Sequence, residues 1–272
     1  MIAILVFLLI DAYLVISLLK SFYLNDLLLF GALLGLLQLL ILSQVWLYFF
    51  FFKSGAEVEI RFEKPLQKFG FWSMGAISFL FSFTLMRDAV ALILLPFGQT
   101  SLLYGPQPSL MILAVSLFSF AYGAINARFR VVSPRIEVSI PSLPASLQGL
   151  RIVQLSDIHL GTGPGPKHVA AMVDRALSLQ PDLIVLTGDI IDGMTKDMQP
   201  ELQQLARLKA PLGVYFVLGN HECYWKWQDS ISEMKKAGII PLLNEGIRLT
   251  RGTGSFYLAG MNDPAVAHYQ GD

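Results

Sequence analysis

The sequence predicts two units of different kinds, an all-α membrane unit over residues 1–126 and an α/β domain over 151–272. Three observations predict them. The chain is 54% hydrophobic, too apolar for one ordinary soluble domain. The apolar residues are concentrated before residue 126, and charges become regular only from Arg128 onward. In the second half, short apolar runs of strand length alternate with segments of helical period, the pattern of a largely parallel sheet.

A helix needs roughly 20 apolar residues to cross the hydrocarbon of a bilayer. Four stretches qualify, at about 1–19, 28–52, 70–97 and 108–126. The first has no small-residue cleavage site after it and is too long for a cleaved signal peptide. Buried helices of a soluble core are excluded because the stretches lack a polar face. Four spans put the N-terminus, the 53–69 loop and everything after 126 on one side. That side carries Lys53, Arg61, Lys64, Lys68, Arg128, Arg130 and Arg135, whereas the other holds Lys20 and Arg87. The positive-inside bias therefore predicts a multi-pass cell-membrane protein with its α/β domain in the cytosol. The single cysteine, Cys223, excludes an internal disulfide and suits a reducing compartment.

Asp11 and the Arg87–Asp88 pair are the ionisable groups within the spans. At 1.5 Å per residue Asp11 lies ~15 Å and Arg87 ~25 Å from the cytosolic end, so they are not expected to pair. Arg87 is expected to snorkel outward. Broken helices and clustered intramembrane charges are not evident, which disfavours transport.

Residues 127–150 read as a linker and first strand, punctuated by prolines. RIVQLS (151–156) is a strand. PKHVAAMVDRALSLQ (166–180) is a helix, with Val169, Met172, Val173, Ala176 and Leu177 on one buried face. LIVLT (183–187) is a continuously apolar strand, as in a sheet covered on both faces. ELQQLARL is a short helix, GVYFVL (213–218) a third strand, and DSISEMKKAG a helix closed by Gly238. IIPLL, IRLT and SFYLAGM give further strands, the last two joined by the turn RGTG.

The first three strands each run into a polar cluster. Asp157 and His159 follow the first, Gly188, Asp189 and Asp192 the second, and Gly219, Asn220, His221 and Glu222 the third. In an open α/β sheet, ligands bind outside the carboxyl ends of the strands, so distant segments collapse into one site. Each cluster alone also reads as a turn; their common placement points to chemistry. Carboxylate, imidazole and amide oxygen together suit Mn, Fe or Zn better than Mg or Ca. Asp157 and His159 can splay around one ion, Asp189 can bridge two, and Asn220 can offer a neutral oxygen to the second. Gly188 and Gly219 let the backbone approach closely. Asp192 and Glu222 read as supports. Cys223 beside His221 raises a Cys–His nucleophile, but two residues apart on a turn the pair seldom meets.

The motifs LSDIHLG (155–161), LTGDIIDG (186–193) and VLGNHE (217–222) resemble those of the calcineurin-like metallophosphoesterases, over roughly 135–272. The similarity is closest to a bacterial branch whose phosphatase domain follows membrane spans or an export signal. The resemblance implies a four-layer α/β/β/α sandwich and a centre of two divalent metal ions. It implies Asp157 and His159 on the first, Asp189 bridging, Asn220 on the second and His221 acting on the scissile phosphate. The family adds further histidines, including a GHxH motif. This sequence has only His159, His168, His221 and His268, and His268 has no ligand spacing around it. The second ion would then have only Asp189 and Asn220, and the expectation is a chain incomplete at its C-terminus.

The expected function is membrane-anchored, metal-dependent hydrolysis of a phosphomonoester, phosphodiester or pyrophosphate, with a lipid among the candidate substrates. The alternative is a membrane-anchored scaffold with a catalytically dead phosphatase-like fold. Expected partners are a phosphoester substrate and the lipid bilayer. Net charge +0 argues against nucleic acid.

Overall fold

The computed structural model describes residues 2–23, 26–53, 63–161, 163 and 165–266. The chain divides into two compact units, Met1–Ala127 and Arg128–Asp272.

In the first unit α1 (Ile2–Leu14) runs through a π-helical segment, Val15–Leu19, into α2 (Lys20–Tyr23). Then come α3 (Leu27–Lys53), α4 (Glu63–Leu94) and α5 (Pro106–Phe129). Four described stretches are long and apolar enough to cross a membrane: Ile4–Tyr23, Leu27–Trp46, Lys68–Phe97 and Pro106–Ala127. Leu28, Leu92 and Phe118 are exposed, as lipid-facing side chains are, and Leu14, Leu18, Phe22, Leu37, Ile41 and Ile77 form the core. Gly75 brings α4 against α5, since a Cβ there would lie 2.9 Å from the Phe120 ring.

The polar groups of this unit differ from expectation. Arg87 does not snorkel. It is buried, with Nε 2.8 Å from Asp88 Oδ1 and Nη2 2.7 Å from the carbonyl oxygen of Ser17. Arg87 and Asp88 pair with each other at 2.8 Å, and the first helix continues through its π segment without a break. A carboxylate one residue away and a carbonyl on the neighbouring helix satisfy the guanidinium more closely than a reach to the interface would. Asp11 accepts from the Gln38 amide at 2.8 and 2.9 Å and makes no contact with Arg87.

The second unit is built on a parallel sheet of order β1–β2–β3–β4: Ile152–Leu155, Leu183–Thr187, Val214–Val217 and Ile240–Pro241. β5 (Glu245–Arg251) and β6 (Gly254–Gly260) form a separate antiparallel hairpin. The helices are α6 (Pro166–Ser178), α7 (Gln199–Leu205), α8 (Asn220–Tyr224) and α9 (Trp227–Lys236). Strand alternation sorts the side chains. Ile184, Leu186, Val214 and Phe216 face a core shared with Val169, Val173, Leu205 and Met234 of the helices. Leu183 and Tyr215 point the other way, to a second core with Leu242 and Leu249 against which Phe256 and Leu258 of the hairpin pack. Helix, parallel sheet and hairpin layers follow.

IIPLL yields only two strand residues, because Pro241 has no N–H with which to extend the ladder. The strand expected within 127–150 is absent from the described ladders, and Ile136 and Val138 stand 82% and 75% exposed.

Candidate metal centre

β1, β2 and β3 end side by side, and their following loops stay in register beyond the sheet. The Asp157 N–H donates to Gly188 O (3.2 Å), the His159 N–H to Asp189 O (3.0 Å) and the Leu160 N–H to Ile190 O (2.8 Å). The second loop returns the contact through the Asp192 N–H to Leu160 O at 2.9 Å. Asp157, His159 and Asp189 have φ of 55°, 51° and 54°, left-handed values that non-glycine residues avoid. Such conformations cost on the order of 1–3 kcal/mol each and cluster where a site demands them.

One oxygen or nitrogen from each of Asp157, His159 and Asp189 lies within 4.8 Å of the others, and so do atoms of His159, Asp192 and His221. The two groups share His159. Asp192 is 5% exposed and sits between the imidazoles, its Oδ2 3.5 Å from His159 Nδ1 and its Oδ1 3.2 Å from His221 Nδ1. The Trp225 indole N–H donates to the same Oδ1 at 3.1 Å. A carboxylate against Nδ1 fixes a histidine's orientation and leaves Nε2 for a ligand. The rings of His159 and His221 meet edge to face at 4.3 Å.

Asn220 and His221 lie in the short helix α8 rather than in an open turn. Asp189 Oδ1 accepts the His221 backbone N–H at 3.0 Å, and Asn220 Nδ2 donates to Tyr224 Oη at 2.8 Å. Glu222 is fully buried and accepts four backbone N–H groups: Asp189 (3.1 Å), Ile190 (2.7 Å), Ile191 (2.8 Å) and Gly219 (2.8 Å). Burial pushes its carboxyl up, and the four donors pull it back. Gly188 has φ +90°, and a Cβ on Gly219 would collide with the backbone nitrogen and carboxylate of Asp189. Both positions therefore require glycine. Cys223 is buried beneath the helix, where burial pushes its thiol to about 11, so it is no nucleophile at neutral pH. His168 lies on α6, away from the cluster by sequence, and His268 falls outside the described residues.

A cavity of about 400 Å³ opens over the strand ends, lined by Asp157, Asp189 and Asn220. It is also lined by Asn262 and Asp263, which the sequence reading missed. The Leu218 N–H donates to Asn262 Oδ1 at 3.1 Å, and the Asp263 N–H to Leu218 O at 2.9 Å. The signal was the one used for the other clusters, a polar pair directly after a strand, here SFYLAG. The donors present, carboxylate oxygens, an imidazole and an amide, fit divalent metal ions.

Residues 150–260 match the family model described as calcineurin-like phosphoesterase. A Bos taurus transmembrane protein with metallophosphoesterase domain is 32% identical over 61% of this chain and 39% of its own length. A Campylobacter jejuni metallophosphoesterase is 30% identical over 68% of this chain and 49% of its own. The UDP-2,3-diacylglucosamine pyrophosphatase of Chlamydia muridarum is 38% identical over 32% of this chain and 27% of its own. The chain thus spans half or less of the length of these relatives. Residues 150–260 thus carry the sequence of a calcineurin-like phosphoesterase domain.

Proposed function

We propose that the protein is a membrane-anchored, metal-dependent phosphoesterase whose substrate is a phosphodiester or pyrophosphate of an amphiphile at the bilayer surface. The observation that carries this reading is the convergence of Asp157, His159, Asp189 and Asn220 beyond three adjacent parallel strands, with His221 beside them. Asp157 and His159 would hold one ion, Asp189 would bridge and Asn220 would serve the second. Two divalent ions bound there supply Lewis-acid screening of phosphate charge and a lowered pKa for water.

The chain's own residues do the rest. Asp192 lies on the Nδ1 side of both imidazoles, which would leave Nε2 of His159 to hold an ion. His221 presents Nε2 to the phosphate, where it stabilises the equatorial oxygens or protonates the leaving group. Glu222 locks the backbones that carry Asp189 and Asn220. The four apolar helices support a substrate met at lipid, and the name of the Chlamydia relative, a pyrophosphatase of a diacylated nucleotide sugar, supports a lipid-linked substrate. The Lys and Arg bias around the spans supports a cytosolic domain.

The test is hydrolysis by the full-length protein in detergent with Mn²⁺, using bis(4-nitrophenyl) phosphate and a lipid pyrophosphate in mixed micelles. Turnover that disappears in Asp189→Ala supports the enzyme. A metal-loaded protein with no turnover on either substrate establishes the scaffold instead. Equal kcat/KM for the lipid pyrophosphate and a short-chain analogue removes the lipid from the proposal.

A further inference from the structure

The hydroxyl of Tyr224 takes no part in holding an ion or in reaching the phosphate, yet it sits beside both tasks. α8 sets Asn220 and Tyr224 four residues apart, the spacing that brings two side chains to one face of a helix. There Asn220 Nδ2 donates to Tyr224 Oη at 2.8 Å. The Tyr224 ring also meets the His221 ring, at 5.0 Å between centres and 60° between planes. Tyr224 is 54% exposed, so neither contact is forced by burial in a core.

A side-chain amide has an acceptor end and a donor end. Asn220 lines the cavity over the strand ends together with Asp157 and Asp189, whereas Tyr224 is not part of that lining. A cation is bound by the amide oxygen, and the NH₂ must then find an acceptor elsewhere. Tyr224 Oη is such an acceptor, and with Nδ2 committed to it Oδ1 is the end left to the cavity. A ligand held in place before the ion arrives gives up less freedom on binding. The bond also strengthens on loading: a cation at Oδ1 draws electron density from the amide and makes its N–H a better donor to Oη.

We propose that Tyr224 is a positioning residue for the second ion, its Oη holding the Asn220 amide by Nδ2 so that Oδ1 serves the metal. This rests on the two-ion reading of the centre and adds the group that orients its neutral ligand. Asn220 needs such a group more than Asp189 does. A carboxylate presents oxygen whichever way it turns, but an amide turned over presents N–H to the ion. Partners of this kind, one shell out from the metal, typically change its affinity by about 10–100-fold. The hydroxyl carries the effect, and the ring contact with His221 is a separate matter that a phenylalanine preserves.

The experiment titrates the full-length protein in detergent, stripped with a chelator, with Mn²⁺ alone, and reads free Mn²⁺ by electron paramagnetic resonance. The parent should take up two ions. Tyr224→Phe should weaken one of them by about 10–100-fold, leave the other unchanged and melt with the parent. Asn220→Ala should weaken or abolish the same ion, and adding Tyr224→Phe to it should change nothing further. Two ions held by Tyr224→Phe as firmly as by the parent overturn the proposal. So does a weakening of both ions with a lowered melting point, which marks a merely structural hydroxyl. Further loss in the Asn220→Ala background also overturns it, because Tyr224 then has no amide to act on. A parent that binds two Mn²⁺ but hydrolyses neither substrate removes the phosphoesterase and leaves the Tyr224 comparison decisive; a parent that binds fewer than two overturns both.

Discussion

The Glu222 carboxylate lies 2.7 Å from the backbone nitrogen of Ile190, across the gap between the helix after β3 and the loop after β2. Two segments that only neighbour each other through the sheet are thereby tied at the site itself. Each carboxylate oxygen accepts two N–H groups, Oε1 from Ile190 and Ile191 and Oε2 from Asp189 and Gly219. Glu222→Gln sets an NH₂ against one of these donor pairs. It should destabilise the second unit by about 1–3 kcal/mol or more, the penalty of unsatisfied buried donors. A melting curve of the variant indistinguishable from the parent would show that the loops hold themselves.

Asp189 and Asp192 should separate in metal retention. Asp189 stands beside both Asp157 and Asn220 at the cavity, whereas Asp192 contacts the histidines by their Nδ1 atoms. Asp189→Ala should lose most bound metal by elemental analysis. Asp192→Ala should retain more and lose turnover through misoriented imidazoles, by about 10–100-fold. Equal metal loss in the two variants would contradict the assignment.

His221→Ala should keep its metal and lose about 10²–10³ in turnover, the size of one transition-state interaction worth ~3–4 kcal/mol. Added Mn²⁺ separates the two roles. Rescue to near the parent rate would make His221 a ligand. Full activity without added metal would reduce the NHE segment to a structural turn.

Cys223 should behave as a packing residue. Its thiol is 4% exposed and pushed up to about 11, so almost no thiolate forms at pH 8, and reactivity should rise only as the pH approaches that value. Iodoacetamide should label it far more slowly in the folded protein than in the unfolded one, and Cys223→Ala should keep its turnover. Fast labelling at pH 8 together with an inactive, metal-loaded Cys223→Ala would return the Cys–His pair to consideration.

Topology is checked by reporter fusions at Gly105 and after Arg130. The positive-inside bias predicts an extracytoplasmic signal from the first and a cytosolic one from the second. The reverse result would turn the whole protein around in the membrane.

Much of the fold was legible in the sequence because its signals are local. Val169, Val173 and Ala176 recur at helical spacing and are buried on α6. LIVLT is continuously apolar because β2 is covered on both faces, by helices through Ile184 and Leu186 and by the hairpin core through Leu183. The strand-end rule brought Asp157, Asp189 and Asn220 to one edge, whereas Asn262 and Asp263 follow β6 of the antiparallel hairpin, to which that rule does not extend.

What the sequence determined by itself is the kind of structure at each point: four apolar helices, parallel strands, and three strand ends carrying metal-ligand chemistry. Which side chain turns toward which was decided only in the tertiary structure. Asp192 became the shared partner of two histidines, Glu222 the clamp on four amides, and Arg87 the partner of Ser17 and Asp88 rather than a residue reaching for water. The physical reason is range. Periodicity and turn chemistry act over a few residues, while a buried carboxylate or guanidinium also takes partners far away in the chain, 70 positions for Arg87 and Ser17 and 31 for Glu222 and Ile191, and no pattern in the sequence names them.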